Sequence, residues 1–517
     1  MENNSRHYTV ETIAKITGGT LYHGDPGAFI DHLVTDSRRV ISPRSSVFFA
    51  LPGPRRNGQE FIPDLYQRGV RYFVVQTKAP GNEFPEAGFI VVPGVLEALQ
   101  ALAAWHRKQF QIPVIGITGS NGKTIVKEWL NQLLEKDFNI VRSPRSYNSQ
   151  IGVPLSVWQI RPEHSLGIFE AGISMPGEME KLERVIQPTL GVFTNLGEAH
   201  QEGFSGFRQK AIEKFRLFGN CAKLIYCKDS IGEWLHLEGS EKSLLREDIE
   251  LFAWSRMGPC RLQILKEQRQ EQGTVITGLY QQKEFSISIP FQDRASVNNA
   301  ITCCCVMLAM GFDAATVSER MKFIRPVGMR LELKHGINHC SVINDSYSAD
   351  LSSLNIALDF LVQQRQHGTH TVILSDFLQT GIDEIELYEQ VASALRQRGI
   401  NRMIGIGVRM LAHRNIFDSA LNQATFFPST QDFISRFQPS QFRDEAILVK
   451  GARIFEFEQV SHLLEQKVHQ TVLEINLSTL VHNLKQYQRC LKPSTKIMAM
   501  VKAFSYGSGS YEIANIL

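Results

Sequence analysis

The stretch GITGSNGKT, residues 116–124, constrains this chain more than any other. An apolar run, VIGITG, enters a turn with two glycines, and Lys123-Thr124 then open an amphipathic segment. A strand that ends in a glycine turn and continues as a helix is an anion cradle. Gly119 and Gly122 let the backbone of Gly119-Ser120-Asn121-Gly122 fold tightly and aim its N–H groups inward, and the helix start adds its positive dipole end. Lys123 is placed to reach the β- and γ-phosphates of a nucleotide, and the Thr124 hydroxyl to sit on Mg²⁺. The strict phosphate-loop spacing would put glycine at 117, where this chain has Ile117.

Around this turn the pattern alternates between strand and helix. TIVKEWLNQLLEKD carries apolar residues at 125, 126, 129, 130, 133 and 134, the stripe of an amphipathic helix. LGIFEAG and LGVFTNLG read as further strands. This predicts an α/β fold, with a largely parallel sheet and helices on both faces. At 517 residues the chain exceeds one hydrophobic core. Breaks near Pro113, near Arg325-Pro326 and around QKVHQ divide it into units 1–110, 111–324, 325–465 and 471–517. HCSVINDSY, THTVILSDF, RMIGIGV and EAILVKGA give the third unit its own strands.

A net charge of +3 gives no footprint for nucleic acid or anionic lipid. No apolar run approaches the ~20 residues of a membrane span, and the first residues lack a signal peptide's apolar core, so a cytoplasmic location is expected. The eight cysteines form no CxxC pair, and the three in ITCCCVMLAMG would diverge around a helix. They read as small buried residues in a reducing compartment.

Acidic and imidazole groups end two strands near the glycine turn. Glu170 closes LGIFE, and His200 follows LGVFTNLGEA. Ligands of open α/β sheets bind at the carboxyl ends of strands, and nucleotide-bound Mg²⁺ takes a few hard protein ligands plus water. Glu170 and His200 are candidates on that ground.

These motifs resemble the Mur ligases, ATP-dependent enzymes that build the peptide of bacterial cell-wall precursors. TGSNGKT is similar to their TGTxGKT loop, and FEAG, TNLGEAH and AIEKFRLF resemble segments of their central domain. VTDSRRV, VFFALPG and RRNG resemble the uridine-nucleotide domain, and imply substrate contacts for Ser37, Arg38 and Asn57. SYNSQIGVP is similar to NNxxGVP, which implies Asn148 near substrate. By the same resemblance Asn299 contacts adenine, Arg330 of MRLEL lies near ATP, and Asp345 of INDSYSAD faces the ribose. LVKGARIFEFE is similar to the carboxy-terminal KGSRxxxxE. The implied fold is three-domained: a uridine-nucleotide domain, a phosphate-loop ATPase domain and a Rossmann-like domain. INDSYSAD resembles the branch that adds D-alanyl-D-alanine to UDP-N-acetylmuramoyl-tripeptide, although Ser348, Asp350 and Leu351 replace Asn, Asn and Pro.

The implied chemistry is activation of the tripeptide carboxylate as an acyl phosphate, followed by attack of the dipeptide amine. ATP and Mg²⁺ are the implied cofactors, with Thr124, Glu170 and His200 as metal ligands. The family often carries a carbamylated lysine four residues before a phenylalanine. Here that is Lys214 before Phe218, with Lys210 as the weaker match. A monomeric ligase is expected, with no nucleic acid and no membrane span. Whether the tripeptide's third residue is diaminopimelate or lysine stays open.

EINLSTLVHNL and KIMAMVKAFSYGSG resemble the start of alanine racemase, and Lys502 matches its pyridoxal-phosphate lysine, with Ser508 in place of histidine. KIMAMV reads as a buried strand with Lys502 at its carboxyl end. A (β/α)₈ barrel takes about 250 residues. Only 47 residues follow residue 470 here, so an incomplete barrel without racemase activity is expected, and pyridoxal phosphate only in a longer chain. Other readings of the whole are a sister ligase with a different amino acid, a folylpolyglutamate synthase, a nucleotide-sugar-binding scaffold without turnover, and a phosphate-loop kinase or GTPase.

Overall fold

Strand Val114–Thr118 sends Ile115 and Ile117 to one face of a sheet and Val114 to the other, and all three are buried. A strand covered on both sides must lie in the middle of a layered structure. The computed structural model places it there. It describes residues 8–501 and 513, apart from 41, 54–56, 78–82, 198–202, 232–244, 272, 329, 347–348, 365, 379–381, 467–476 and 493–494.

Val114–Thr118 pairs in parallel with Leu166–Glu170 on one side and Leu190–Phe193 on the other. Ile140–Arg142 lies beyond the first; Lys223–Cys227, Glu250–Ser255 and Leu262–Gln270 follow the second, all parallel. Gly273–Tyr280 and Lys283–Ile289 extend the sheet antiparallel, giving nine strands. The chain departs from Val114–Thr118 to the far edge on one side, returns, and then builds outward on the other. That reversal opens a crevice at the strand's carboxyl end, where the glycine turn lies.

The two faces follow the two-residue strand period. Ile168, Val192 and Ile225 join Ile115 and Ile117 under helices Lys123–Leu134 and Arg294–Ala309. Phe169, Phe193 and Leu224 join Val114 under Gly152–Val157, Glu178–Ile186 and Phe207–Phe215. Helix Arg294–Ala309 is buried almost all round, which is why its sequence shows no polar stripe.

Two further sheets flank this one. A five-stranded sheet with strands between Thr20 and Val91 carries the amino-terminal unit. Trp158 of the central unit packs into its core and donates Nε1–H to Asp31 O at 2.9 Å. A six-stranded sheet runs from Glu332–His335 to Glu445–Lys450, with Ser341–Asp345 and Thr369–Ser375 parallel to Glu445–Lys450. Trp129 Nε1–H donates to Arg325 O at 2.9 Å, tying the phosphate-loop helix to the linker that leads there. The expected α/β class with a largely parallel central sheet is the class found.

The tail differs from its expectation. Leu477–Arg489 is helical, but residues 495–500 are irregular and exposed, with Met498 96% and Met500 67% accessible. KIMAMV is therefore not a buried strand. A strand needs neighbouring backbone to pair with, and no described residue pairs with these. Lys502 and Ser508 lie outside the described residues.

The cysteine expectation holds for six of eight. Cys221, Cys227, Cys303, Cys304, Cys305 and Cys340 are buried, Cys260 is half-buried, and Cys490 is exposed. Burial pushes the thiols of Cys221, Cys303 and Cys305 up, and that of Cys304 to about 12. Thiolate is the reactive form. Titration of the native protein with a thiol-specific disulfide reagent should show one fast thiol, Cys490, then a slow Cys260, with the other six reacting only after unfolding. Fast reaction of three or more thiols would contradict this packing.

Candidate active site

The glycine turn is built by its neighbours. Gly119 (φ +148°) and Gly122 (φ +83°) adopt backbone conformations that side chains disfavour, and a Cβ at either would collide, with Thr194 Oγ1 and Asn299 Oδ1 respectively. Segment Thr194–Gly197 braces the turn from below. Ser120 N–H donates to Asn195 O at 2.9 Å, Asn121 N–H to Asn195 Oδ1 at 2.8 Å, and Gly197 N–H to Ser120 Oγ at 2.8 Å. Asn299 thus stands against the turn, on the side where the helix begins.

Lys123 folds back over the turn, its Nζ donating to Gly119 O at 2.7 Å and Ser120 O at 3.0 Å. Burial lowers its pKa to about 8; Arg330 adds to the fall, and Glu170 and Asp350 oppose it. Lys214, on helix Phe207–Phe215, reaches the same carbonyl from the other side: Nζ to Gly119 O is 3.1 Å. Burial, then the charges of Lys123 and Lys210, hold its pKa well below the ordinary lysine range. Lys210 is also buried and donates to Gly197 O.

Thr124 and Glu170 meet directly, with Thr124 Oγ1–H to Glu170 Oε2 at 3.1 Å. Ser146 Oγ stands 3.1 Å from Thr124 Oγ1 and 3.4 Å from Arg330 Nη2. Glu170 is fully buried, and its Oε1 accepts no hydrogen bond. It lies 3.0 Å from Lys127 Nζ, a contact of charges without hydrogen-bond alignment. A hydroxyl beside a buried, under-satisfied carboxylate is a donor set of the hard kind that Mg²⁺ takes. His200 lies outside the described residues. Among the described residues no group of three His, Cys, Asp or Glu side chains is arranged to hold a metal ion.

A cavity of about 120 Å³ opens between the turn and the segment opposite. Gly119, Ser120, Lys123 and Lys214 form one wall; Asn148, Ser149 and Gly172–Ser174 form the other. Gly172 N–H donates to Asn148 O at 2.8 Å, which joins the two halves of that wall. A larger depression of about 480 Å³ lies at the amino end of Val114–Thr118. Its Arg107 donates to four carbonyls, of Ile186, Phe110, Ile112 and Gln187, and so caps backbone.

The flanking units reach this site through few contacts. Asn121 Nδ2–H donates to Ser352 Oγ at 3.2 Å. Asp350 caps helix Leu351–Val362 through Ser353 N–H at 2.9 Å. Asp345 ends its strand in an ion pair with Lys450, 2.5 Å away at the same register of the adjacent parallel strand. From the amino-terminal unit, Arg39 donates to the Tyr147 hydroxyl, next to Asn148. Ser37 and Arg38 lie one turn away, with Arg38 held by Asp36 at 2.8 and 2.9 Å. Asn57 is spent locally in a capping box with Glu60.

The turn, Lys123, Thr124, Glu170, Lys214, Asn148, Asn299 and Arg330 therefore converge; Ser37, Arg38 and Asn57 stand apart from the cavity, as does Asp345. Sequence reasoning missed Lys127, Ser146, Asn195 and Ser352. Asn195 had a signal, since it follows the strand beside the turn. Lys127 gave none, because a lysine on an amphipathic helix reads as solvent-facing.

Residues 117–307 match the Mur ligase middle domain, and residues 475–517 the alanine racemase N-terminal domain. The UDP-N-acetylmuramoyl-tripeptide–D-alanyl-D-alanine ligase of Buchnera aphidicola is 26% identical over 463 residues, 87% of this chain and 96% of that protein. A crystal structure of MurF from Acinetobacter baumannii superposes with a TM-score of 0.72 at 21% identity, covering 89% of this chain and 99% of that one. MurF from Thermotoga maritima, in complex with ADP, superposes with a TM-score of 0.66 at 18% identity, over 84% and 96%. Both have the same fold. Residues 117–307 thus match the Mur ligase middle domain, and along most of its length the chain is similar to Mur ligases in sequence and fold.

Proposed function

We propose that this chain is an ATP-dependent ligase that joins D-alanyl-D-alanine to UDP-N-acetylmuramoyl-tripeptide through an acyl phosphate. The observation that carries the reading is the cavity between Lys123 and Lys214 on one wall and Asn148 on the other. A peptide carboxylate and a γ-phosphate repel each other, and their approach needs cations in a water-poor site. Here Lys123 supplies a cation at the carbonyl of the phosphate-binding turn, and Lys214 donates to the same carbonyl. Residues 111–324 take the nucleotide in this reading, 1–110 the uridine end of the precursor, and 325–465 close over both. The work is cytoplasmic, where ATP is drawn. The substrates of the related ligases support the choice of substrates, and Arg39 beside Tyr147 supports the direction from which the precursor enters.

Each residue has a task. The turn's N–H groups and Lys123 bind and orient the phosphates. In this reading Asn299 contacts the adenine, Arg330 lies near the phosphates and Asp345 faces the ribose. Thr124 and Glu170 would hold Mg²⁺, with His200 and a carbamylated Lys214 as further ligands. When bound, Mg²⁺ supplies neutralisation of charge on the transferring phosphoryl group. Asn148 orients the carboxylate. Lys214 is neutral more readily than an ordinary lysine, and the neutral amine is the form that adds carbon dioxide.

The decisive assay is ADP formation from ATP with the precursor tripeptide. Turnover should require D-alanyl-D-alanine, and other amino acids should not replace it. Turnover with a single amino acid would mark a sister ligase; tight precursor and ATP binding without ADP would mark a scaffold. Lys123→Ala should lower kcat/KM by at least about 100-fold, the loss of a charged transition-state contact.

Nucleotide binding should depend on pH in a defined direction. Lys123 titrates at about 8 in the free protein, and phosphate beside it raises that value in the complex. ADP affinity should then be flat below about pH 7 and fall as pH rises past 8, with proton uptake on binding seen by calorimetry in two buffers. An affinity that rises above pH 8 would remove Lys123 from the phosphate site.

The carbamate is checked separately. Lys214→Ala should lower turnover by at least about 100-fold, with partial return on adding formate or acetate, and ¹³C-bicarbonate should give a carbamate signal in the wild type only. Wild-type turnover in Lys214→Ala would exclude the role.

A further inference from the structure

Lys127 is a fully buried lysine in a helix whose other buried residues are mostly apolar. Its ammonium touches three separate parts of the site. It lies 3.0 Å from Glu170 Oε1, donates to Ser143 O at 2.7 Å, and donates to Arg145 O. Glu128 Oε1 stands 3.0 Å away on the outer side, itself held through Oε2 by Arg142 Nε at 3.1 Å. Arg142, Glu128, Lys127 and Glu170 form a line of alternating charge from the surface to the Thr124 hydroxyl.

A buried ion pair is poor evidence of stabilisation, because desolvation offsets much of the attraction and an apolar replacement is often no worse. The geometry points to another use. Lys127 occupies Glu170 Oε1 and leaves Oε2 facing Thr124. The two carbonyls it grips, of Ser143 and Arg145, anchor the segment that carries Ser146 to Thr124 and Asn148 to the cavity. Its own backbone belongs to the helix that begins at Lys123. One ammonium thus fixes the carboxylate, the hydroxyl's neighbour and the substrate-facing segment relative to one another.

We propose that Lys127 is a positioning residue that presents Glu170 to Mg²⁺ and couples that site to the Ser143–Ser149 segment. The inference rests on the reading that Thr124 and Glu170 hold the metal. A simple competing cation would weaken metal binding by repulsion, so its removal would strengthen it. A positioning residue predicts the opposite sign.

The test is calorimetric binding of ADP to the full chain, with Mg²⁺ and with EDTA. In the wild type, Mg²⁺ should tighten ADP binding. Lys127→Met should cut that enhancement by about tenfold, the usual scale for a residue that orients a metal ligand, while ADP binding in EDTA stays within about twofold. The KM for the precursor tripeptide should rise as well, through Asn148. If Lys127→Met does not fold, Glu128→Gln decides, with an enhancement reduced about two- to threefold. An unchanged or larger enhancement in the variant that folds overturns the inference alone. Absence of any enhancement in the wild type overturns the metal assignment, and the inference with it.

Discussion

Everything in this site depends on a shortage of negative charge around one carbonyl. Lys123 and Lys214 both donate to Gly119 O, Lys210 is buried close enough to depress Lys214, and Arg330 adds to the same field. Against them stand the distant charges of Glu170 and Asp350. Crowding ammonium groups in a buried place is costly unless an anion relieves it. A polyphosphate is such an anion. The turn's own N–H groups add to the attraction, because Gly119 and Gly122 let them converge and the Thr194–Gly197 segment holds them there. The turn and its lysines are thus arranged in advance for charge that arrives with substrate.

The general layout was legible in the residues because it follows short-range rules. Strand alternation around Val114–Thr118, the stripe of helix Lys123–Leu134 and the glycine turn between them are local patterns, and the α/β fold followed from them. Glu170 could be found because a strand end beside the turn is a predictable place. The rest depended on contacts that no local pattern encodes. Lys127 and Glu170 are 43 residues apart (170 − 127), Asn121 and Ser352 are 231 apart, and Asp345 meets Lys450 only because their strands pair in parallel register. KIMAMV failed for the converse reason. An apolar run is only half of a strand; the other half is a neighbour, and burial cannot be read from a segment whose neighbour is not there to read.

The three units are joined to the site by light contacts. Arg39 to Tyr147, Asn121 to Ser352 and Arg330 to Ser146 are polar interactions, each between a flanking unit and the shared centre. By contrast, the tie between central and amino-terminal units at Trp158 is apolar and buried. Single hydrogen bonds are worth about 1 kcal/mol each, so these polar contacts hold the carboxy-terminal unit less firmly than the buried apolar joint at Trp158 holds the amino-terminal one.

That asymmetry suits the order of events. The precursor is large and must span from the amino-terminal unit to the cavity, so a firm joint at Trp158 and a fixed segment at 143–149 keep its path at one length. The cavity itself is about 120 Å³, lined by the glycine turn on one side and the Asn148 segment on the other. An acyl phosphate hydrolyses when water reaches it, so in the proposed reaction a chamber walled on both sides would protect the activated carboxylate until an amine takes its place.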